Sequence, residues 1–108
     1  MIIGHRILKL SNSVDVNVRI FLPVFQDGHW SCSYEIEWPD EMRASSGFGV
    51  DSMQAIYLTL QKIGHEIYMS EHHASGELAW STVVAGYGFP VPRNDRDILV
   101  GDDKRFDG

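Results

Sequence analysis

Two stretches of alternating apolar residues, separated by an Asp-Gly pair, constrain the fold of this chain more than any other feature. The first, residues 14–24, has Val14, Val16, Val18, Ile20, Leu22 and Val24 at every second position. The second, residues 30–38, repeats the pattern with Trp30, Cys32, Tyr34, Ile36 and Trp38. A period of two residues places apolar side chains on one face of a β-strand, and Asp27-Gly28 suits a tight turn. The sequence predicts a long antiparallel hairpin with one buried face.

A long helix is expected after the strands. Asp51 and Gln54 have the spacing of a capping box at a helix start. Apolar residues then recur at helical spacing as far as Tyr68, and we expect the helix to end between Ser70 and His73. Gly64, inside this helix, is expected to mark a close approach between helix and sheet.

Weaker strand patterns cover residues 3–10, 42–48 and 78–84. Together with the hairpin and the helix they predict an α+β fold, in the order β-β-β-β-α-β. We expect a curled antiparallel sheet of four to five strands with one long helix packed on one face. The chain has 108 residues, which suits one domain. We place that domain at residues 1–92, followed by a flexible C-terminal tail, 93–108, with a short ordered patch at Ile98-Leu99-Val100.

Composition excludes several classes of function. Nine Lys+Arg against fifteen Asp+Glu give a net charge of −6, which argues against nucleic-acid binding. One cysteine excludes an intrachain disulfide. Apolar runs are too short for a membrane span of roughly 20 residues, and the charged N-terminal segment does not resemble a secretory signal. A cytoplasmic protein without membrane or nucleic-acid partners is therefore expected.

The candidates for catalytic chemistry are weak. His65, His72 and His73 lie near Glu66 and Glu71, but His65 and His72 are too far apart for the helical spacing that metal sites use. Cys32 falls on the apolar side of its strand, where a thiol behaves as a small hydrophobe. We therefore expect no catalytic residues, metal or cofactor, and a non-enzymatic role is favoured.

Four residues are candidates for binding. Glu35 and Glu37 share the polar face of their strand, where Asp15, Asp40 and Glu41 could extend an acidic surface. Tyr87 and Phe89 belong to the run Gly-Tyr-Gly-Phe-Pro. This run either protrudes as an aromatic contact loop or folds back and plugs one end of the core.

Two hypotheses for function follow. The first is a protein-binding module, an adaptor or an immunity-type neutralising protein, that uses the acidic sheet face or the aromatic loop. The second is a small-ligand-binding protein or minor enzyme with a cleft between helix and sheet. In that case the histidines at the helix end and Tyr87 would supply the polar groups. A homodimer, formed through a sheet edge or through Phe21, is compatible with either hypothesis.

The segment Val50-Asp51-Ser52-Met53-Gln54-Ala55, with Leu58-Thr59-Leu60-Gln61-Lys62-Ile63-Gly64, resembles the helix of a family of short uncharacterised bacterial proteins. In that family a Leu-x-Trp strand start and a Gly-Phe-Pro follow the helix, and the matching residues here are Leu78, Trp80 and Gly88-Phe89-Pro90. The resemblance covers roughly residues 4 to 92. It implies a single small domain of bacterial origin and transfers no catalytic residue.

Overall fold

The computed structural model describes residues 1–11, 13–80 and 86–92. In chain order these form β1 (Ile2–Leu10), β2 (Val14–Phe21), β3 (Val24–Gln26), β4 (His29–Glu37), β5 (Met42–Gly49), α1 (Ser52–Tyr68), α2 (Glu71–Ala74) and β6 (Leu78–Ala79). The strands form one antiparallel sheet on which α1 packs, so the predicted α+β class is confirmed. Residues 81–84 of the predicted last strand, and the predicted tail with its patch at Ile98-Leu99-Val100, lie outside the described residues.

The predicted hairpin is present, but Pro23 divides its first strand. β2 and β3 pair with successive parts of β4, with Ile20 opposite Tyr34 and Val24 opposite Ser31. Three residues, 21–23, therefore face two, 32 and 33, which is the geometry of a β-bulge. Pro23 has no N–H to donate to a ladder. The sheet thus has more strands than the four to five expected.

The bulge reverses the faces of the residues that follow it. Leu22 and Val24 are 51% and 54% exposed, so their predicted place on the buried face is wrong. Phe25 instead shares a face with Trp30, and the two rings meet edge to face at 5.6 Å. The turn itself is as predicted: Asp27 and Gly28 have φ of 55° and 83°, the positive values that a type I′ hairpin turn requires.

α1 lies across β4 and β5, and small residues in β5 let it approach the sheet closely. A Cβ at Gly47 would lie 2.4 Å from Thr59 Oγ1, so only glycine fits there. The Thr59 hydroxyl is fully buried and donates to the Cys32 carbonyl at 2.8 Å. It also accepts the Gly47 N–H at 2.9 Å. One helical side chain thus bonds to the backbones of both strands.

The segment 86–92 packs against α1 at Gly64. A Cβ at Gly64 would lie 2.0 Å from the Pro90 carbonyl oxygen. The close approach predicted at Gly64 therefore exists, but its partner is this segment and not the sheet. Tyr87, Phe89 and Val91 are buried in the main core with residues of β1, β2, β4 and α1.

The helix begins as expected and ends earlier than expected. Asp51 accepts the Gln54 N–H at 2.8 Å, and the Gln54 side chain accepts the Val50 N–H at 2.7 Å. α1 stops at Tyr68 because Ser70 caps a second, short helix: its hydroxyl accepts the His73 N–H at 3.2 Å. The change of direction between α1 and α2 shapes the site described next.

Candidate ligand-binding cleft

The two glutamates predicted as a binding surface lie on the sheet face opposite α1, where they share one arginine, so their charges are partly compensated. Glu35 Oε1 is 3.5 Å from Arg19 Nη1, and Glu37 Oε1 is 3.6 Å from Arg19 Nη2. The Asn17 amide also donates to Glu37 at 2.9 Å. Asp15 on the same face pairs with Lys9. This face therefore carries much less negative potential than its carboxylates alone would give.

The aromatic side chains of the 86–92 segment are not a protruding surface. Tyr87 and Phe89 are 4% and 7% exposed, so of the two alternatives for this run the structure has the one in which it plugs the core. The Tyr87 hydroxyl lies 2.5 Å from His73 Nδ1. The Arg6 guanidinium lies over the Phe89 ring and donates to the Tyr87 carbonyl oxygen at 3.0 Å.

A cleft opens at the C-terminal end of α1. It has a volume of about 460 Å³, within the range of small-molecule sites. Its walls are the end of α1, the start of α2 and the connection between β4 and β5. The lining residues are Trp38, Asp40, Glu41, Arg43, His65, Glu66, Met69, Ser70, Glu71 and His72.

Glu66 is the most constrained carboxylate of the cleft. The Tyr34 hydroxyl donates to one of its oxygens, and Arg43 Nε donates to the other at 3.0 Å. Burial raises the pKa of the Glu66 carboxyl above its ordinary value, because a low-dielectric environment disfavours the charged form. The carboxylate is thus held in one orientation on the cleft wall.

The opposite rim carries a histidine between two carboxylates. The His72 ring stacks on Trp38, with ring centroids 4.9 Å apart and an interplanar angle of 24°. Its Nε2 is 3.8 Å from Asp40 Oδ1. One ligand atom from each of Asp40, Glu71 and His72 falls in a group whose members all lie within 4.8 Å of one another. The next residue, His73, instead contacts Tyr68 and Tyr87.

Charge and shape together define what the cleft can accept. Of the residues that the structure describes, four carboxylates and one guanidinium line it, and the guanidinium is already paired with Glu66. The cleft is therefore negative, concave and rich in hydrogen-bond acceptors. These properties favour a small ligand that carries positive charge.

Only some of the residues of this site were predicted from the sequence. The histidines at the helix end were candidates for a cleft, and His65 and His72 do line it. Tyr87, predicted with them, is in the core. Trp38 and Asp40 were missed as cleft residues because they come from the β4–β5 connection. The only available signal was that Pro39-Asp40 ends a strand, which does not indicate what lies beside it.

Cys32 has no nucleophilic character in this fold. Its side chain is fully buried, and its thiol donates a hydrogen bond to the Phe21 carbonyl oxygen, with Sγ and oxygen 3.3 Å apart. Burial raises the pKa of the thiol, which keeps it protonated and unreactive at neutral pH. The prediction that Cys32 packs on the apolar side of its strand is confirmed.

The fold and the cleft define a small α+β domain with an acidic cavity of ligand size. Among the described residues, no helix is both long and apolar enough to cross a membrane. Residues 4–91 match the family model described as "Domain of unknown function (DUF6968)", and the chain therefore belongs to that family. The resemblance to an uncharacterised family is confirmed, while the bacterial origin and cytoplasmic location stay predictions. Comparisons with curated proteins and with solved structures gave no match.

Proposed function

We propose that this protein is a small-ligand-binding domain and that its cleft at the end of α1 binds a small organic cation, such as an amine. The observation that carries the proposal is the convergence of Asp40, Glu41, Glu66 and Glu71 on one cavity of about 460 Å³. Carboxylates brought together in a concave site repel one another, and a bound cation relieves that repulsion.

The side chains of the cleft walls are held in place by protein contacts, and this supports the proposal. Glu66 is fixed by Tyr34 and Arg43, and His72 is fixed by its stacking on Trp38. Because these groups are held by protein contacts, binding a ligand costs little side-chain ordering. Arg43 neutralises one carboxylate only, so the cleft retains a net negative charge.

The alternative of a protein-binding module has less support. Glu35 and Glu37 are paired with Arg19, and Tyr87 and Phe89 are buried. A partner would therefore meet a partly compensated sheet face and, among the described residues 86–92, aromatic rings that are buried. The residues that converge on an open cavity belong to the cleft.

Calorimetric titration with three four-carbon ligands tests this proposal. We expect 1,4-diaminobutane to bind, and uncharged 1,4-butanediol and anionic succinate to bind at least about tenfold more weakly, because a charge-assisted contact contributes roughly 1.5–3 kcal/mol. Glu66→Gln should weaken diamine binding by about tenfold, because it removes one carboxylate and leaves the positive charge of Arg43 uncompensated in the cleft. The matched control is Glu35→Gln on the opposite sheet face, which should leave it unchanged. Equal binding of all three ligands, or none of the diamine, contradicts the proposal.

The raised pKa of Glu66 predicts a dependence of stability on pH. A carboxyl whose pKa is higher in the folded protein stabilises the fold below its unfolded pKa, near 4.3, and that contribution is lost as the pH rises through the folded value. Wild type should therefore lose stability relative to Glu66→Gln between about pH 4 and neutral pH. Urea unfolding of both proteins across this interval measures the difference. A wild type that instead gains stability would show that the Arg43 ion pair outweighs burial.

A further inference from the structure

We infer that the rim of the cleft binds a divalent transition-metal ion through Asp40, Glu71 and His72. The inference uses the same cleft as the proposed function and shares Asp40 and Glu71 with it, but it adds His72 and does not use Glu66, and metal and amine binding are measured separately, so either proposal can fail alone. It rests on geometry: two carboxylates and one imidazole place their ligand atoms within 4.8 Å of one another.

These distances suit a shared ion. Two ligand atoms bound to one metal at about 2.1 Å lie roughly 3.0–3.4 Å apart at octahedral or tetrahedral angles and up to roughly 4.2 Å apart when opposite each other. The 3.8 Å between His72 Nε2 and Asp40 Oδ1 lies between these two values, and a pair of ligand atoms at the 4.8 Å limit of the group would have to close by at least about 0.6 Å to share an ion, which a side-chain rotation can supply. The distance between His72 Nε2 and Asp40 Oδ1 is also too long for a hydrogen bond, so the two groups face each other without satisfying each other.

The fold brings the three residues together, and it fixes the ring of His72, before any ion arrives. Ser70 caps α2 and thereby places Glu71 and His72 in its first turn. Stacking on Trp38 fixes the plane of the His72 ring. Asp40 comes from the β4–β5 connection, so an ion at the rim would join the helical layer to the sheet.

The donor set and its exposure indicate the class of metal. Carboxylate oxygens with one imidazole nitrogen suit first-row ions such as Mn²⁺ and Zn²⁺, whereas Mg²⁺ and Ca²⁺ prefer oxygen ligands alone. The side chains of His72 and Asp40 are 21% and 65% exposed, so the rim is open to solvent. Three protein ligands leave coordination positions for water or for a ligand in the cleft.

Paramagnetic broadening by Mn²⁺ and calorimetric titration with Zn²⁺ test this inference on the full chain. We expect Mn²⁺ to broaden the amide signals of residues 40–41 and 70–73 first. Asp40→Asn, Glu71→Gln and His72→Gln should each weaken Zn²⁺ binding at least about tenfold. Asp40 and Glu71 are exposed, so their variants should fold as wild type does.

His29→Gln is the matched control, because His29 is an exposed histidine at the start of β4, outside both the cleft lining and the triad. It should bind Zn²⁺ as wild type does. Broadening centred elsewhere, equal Zn²⁺ affinity in the triad variants, or tighter binding of Ca²⁺ than of Zn²⁺ would overturn the inference. Diamine binding without metal binding overturns this inference alone, and metal binding at the triad without diamine binding overturns the proposed function alone.

Discussion

We expect the replacement of Gly64 by alanine to lower the free energy of unfolding by about 3 kcal/mol, although alanine is the better helix former by roughly 1 kcal/mol. The reason is steric: the added Cβ would lie 2.0 Å from the Pro90 carbonyl oxygen. That oxygen belongs to the backbone and cannot swing away. Helix and segment must therefore separate, which exposes part of the core formed by Tyr87, Phe89 and Val91.

Urea unfolding followed by tryptophan fluorescence measures this effect. Gln61→Ala, three residues earlier on α1, is the control and should change stability by less than about 0.5 kcal/mol. If Gly64→Ala raised stability, as its helix propensity alone predicts, the segment 86–92 would not pack on α1 as described. That result would also remove Tyr87 and Phe89 from the core.

Replacing Thr59 by valine should be as costly, by about 3 kcal/mol. Valine keeps the shape of threonine but removes the hydroxyl. The Cys32 carbonyl and the Gly47 N–H then each lose a hydrogen bond of less than 3 Å at a buried site. A buried polar group that loses its partner costs roughly 1–3 kcal/mol, and two groups are affected here.

Thr59→Ser separates the hydrogen bonds from packing. Serine keeps the hydroxyl and loses one methyl group, so its cost should stay near 1 kcal/mol. Hydrogen exchange at the Gly47 amide gives a second readout, because this amide should exchange faster in the valine variant. Equal stability of the valine and serine variants would contradict the bridging role of the hydroxyl.

Local sequence rules predicted the elements of this fold well. Alternation of apolar residues, the Asp27-Gly28 turn and the Asp51 cap depend on interactions between near neighbours in the chain. The exception within the hairpin is Pro23, whose missing N–H creates a bulge. The alternating pattern alone places Leu22 and Val24, on either side of Pro23, on the buried face, whereas both side chains are exposed.

Contacts between distant parts of the chain were not predictable in this way. Gly64 signalled a close approach, yet nothing near it in sequence indicated Pro90 as the neighbour. The cleft shows the same limit: the seven-residue spacing of His65 and His72 argued against a metal, while the residue that faces His72 is Asp40. Spacing within one helix cannot reveal a ligand that another element supplies.

Mapping the binding of 1,4-diaminobutane on the amide spectrum of the full chain tests the central claim most directly. We expect shifts confined to residues 38, 40–43 and 65–72, the segments that contain the residues lining the cleft. Glu66→Gln should reduce these shifts at equal ligand concentration. Shifts centred on Asp15, Glu35 and Glu37 would place the cation on the opposite sheet face and contradict the account.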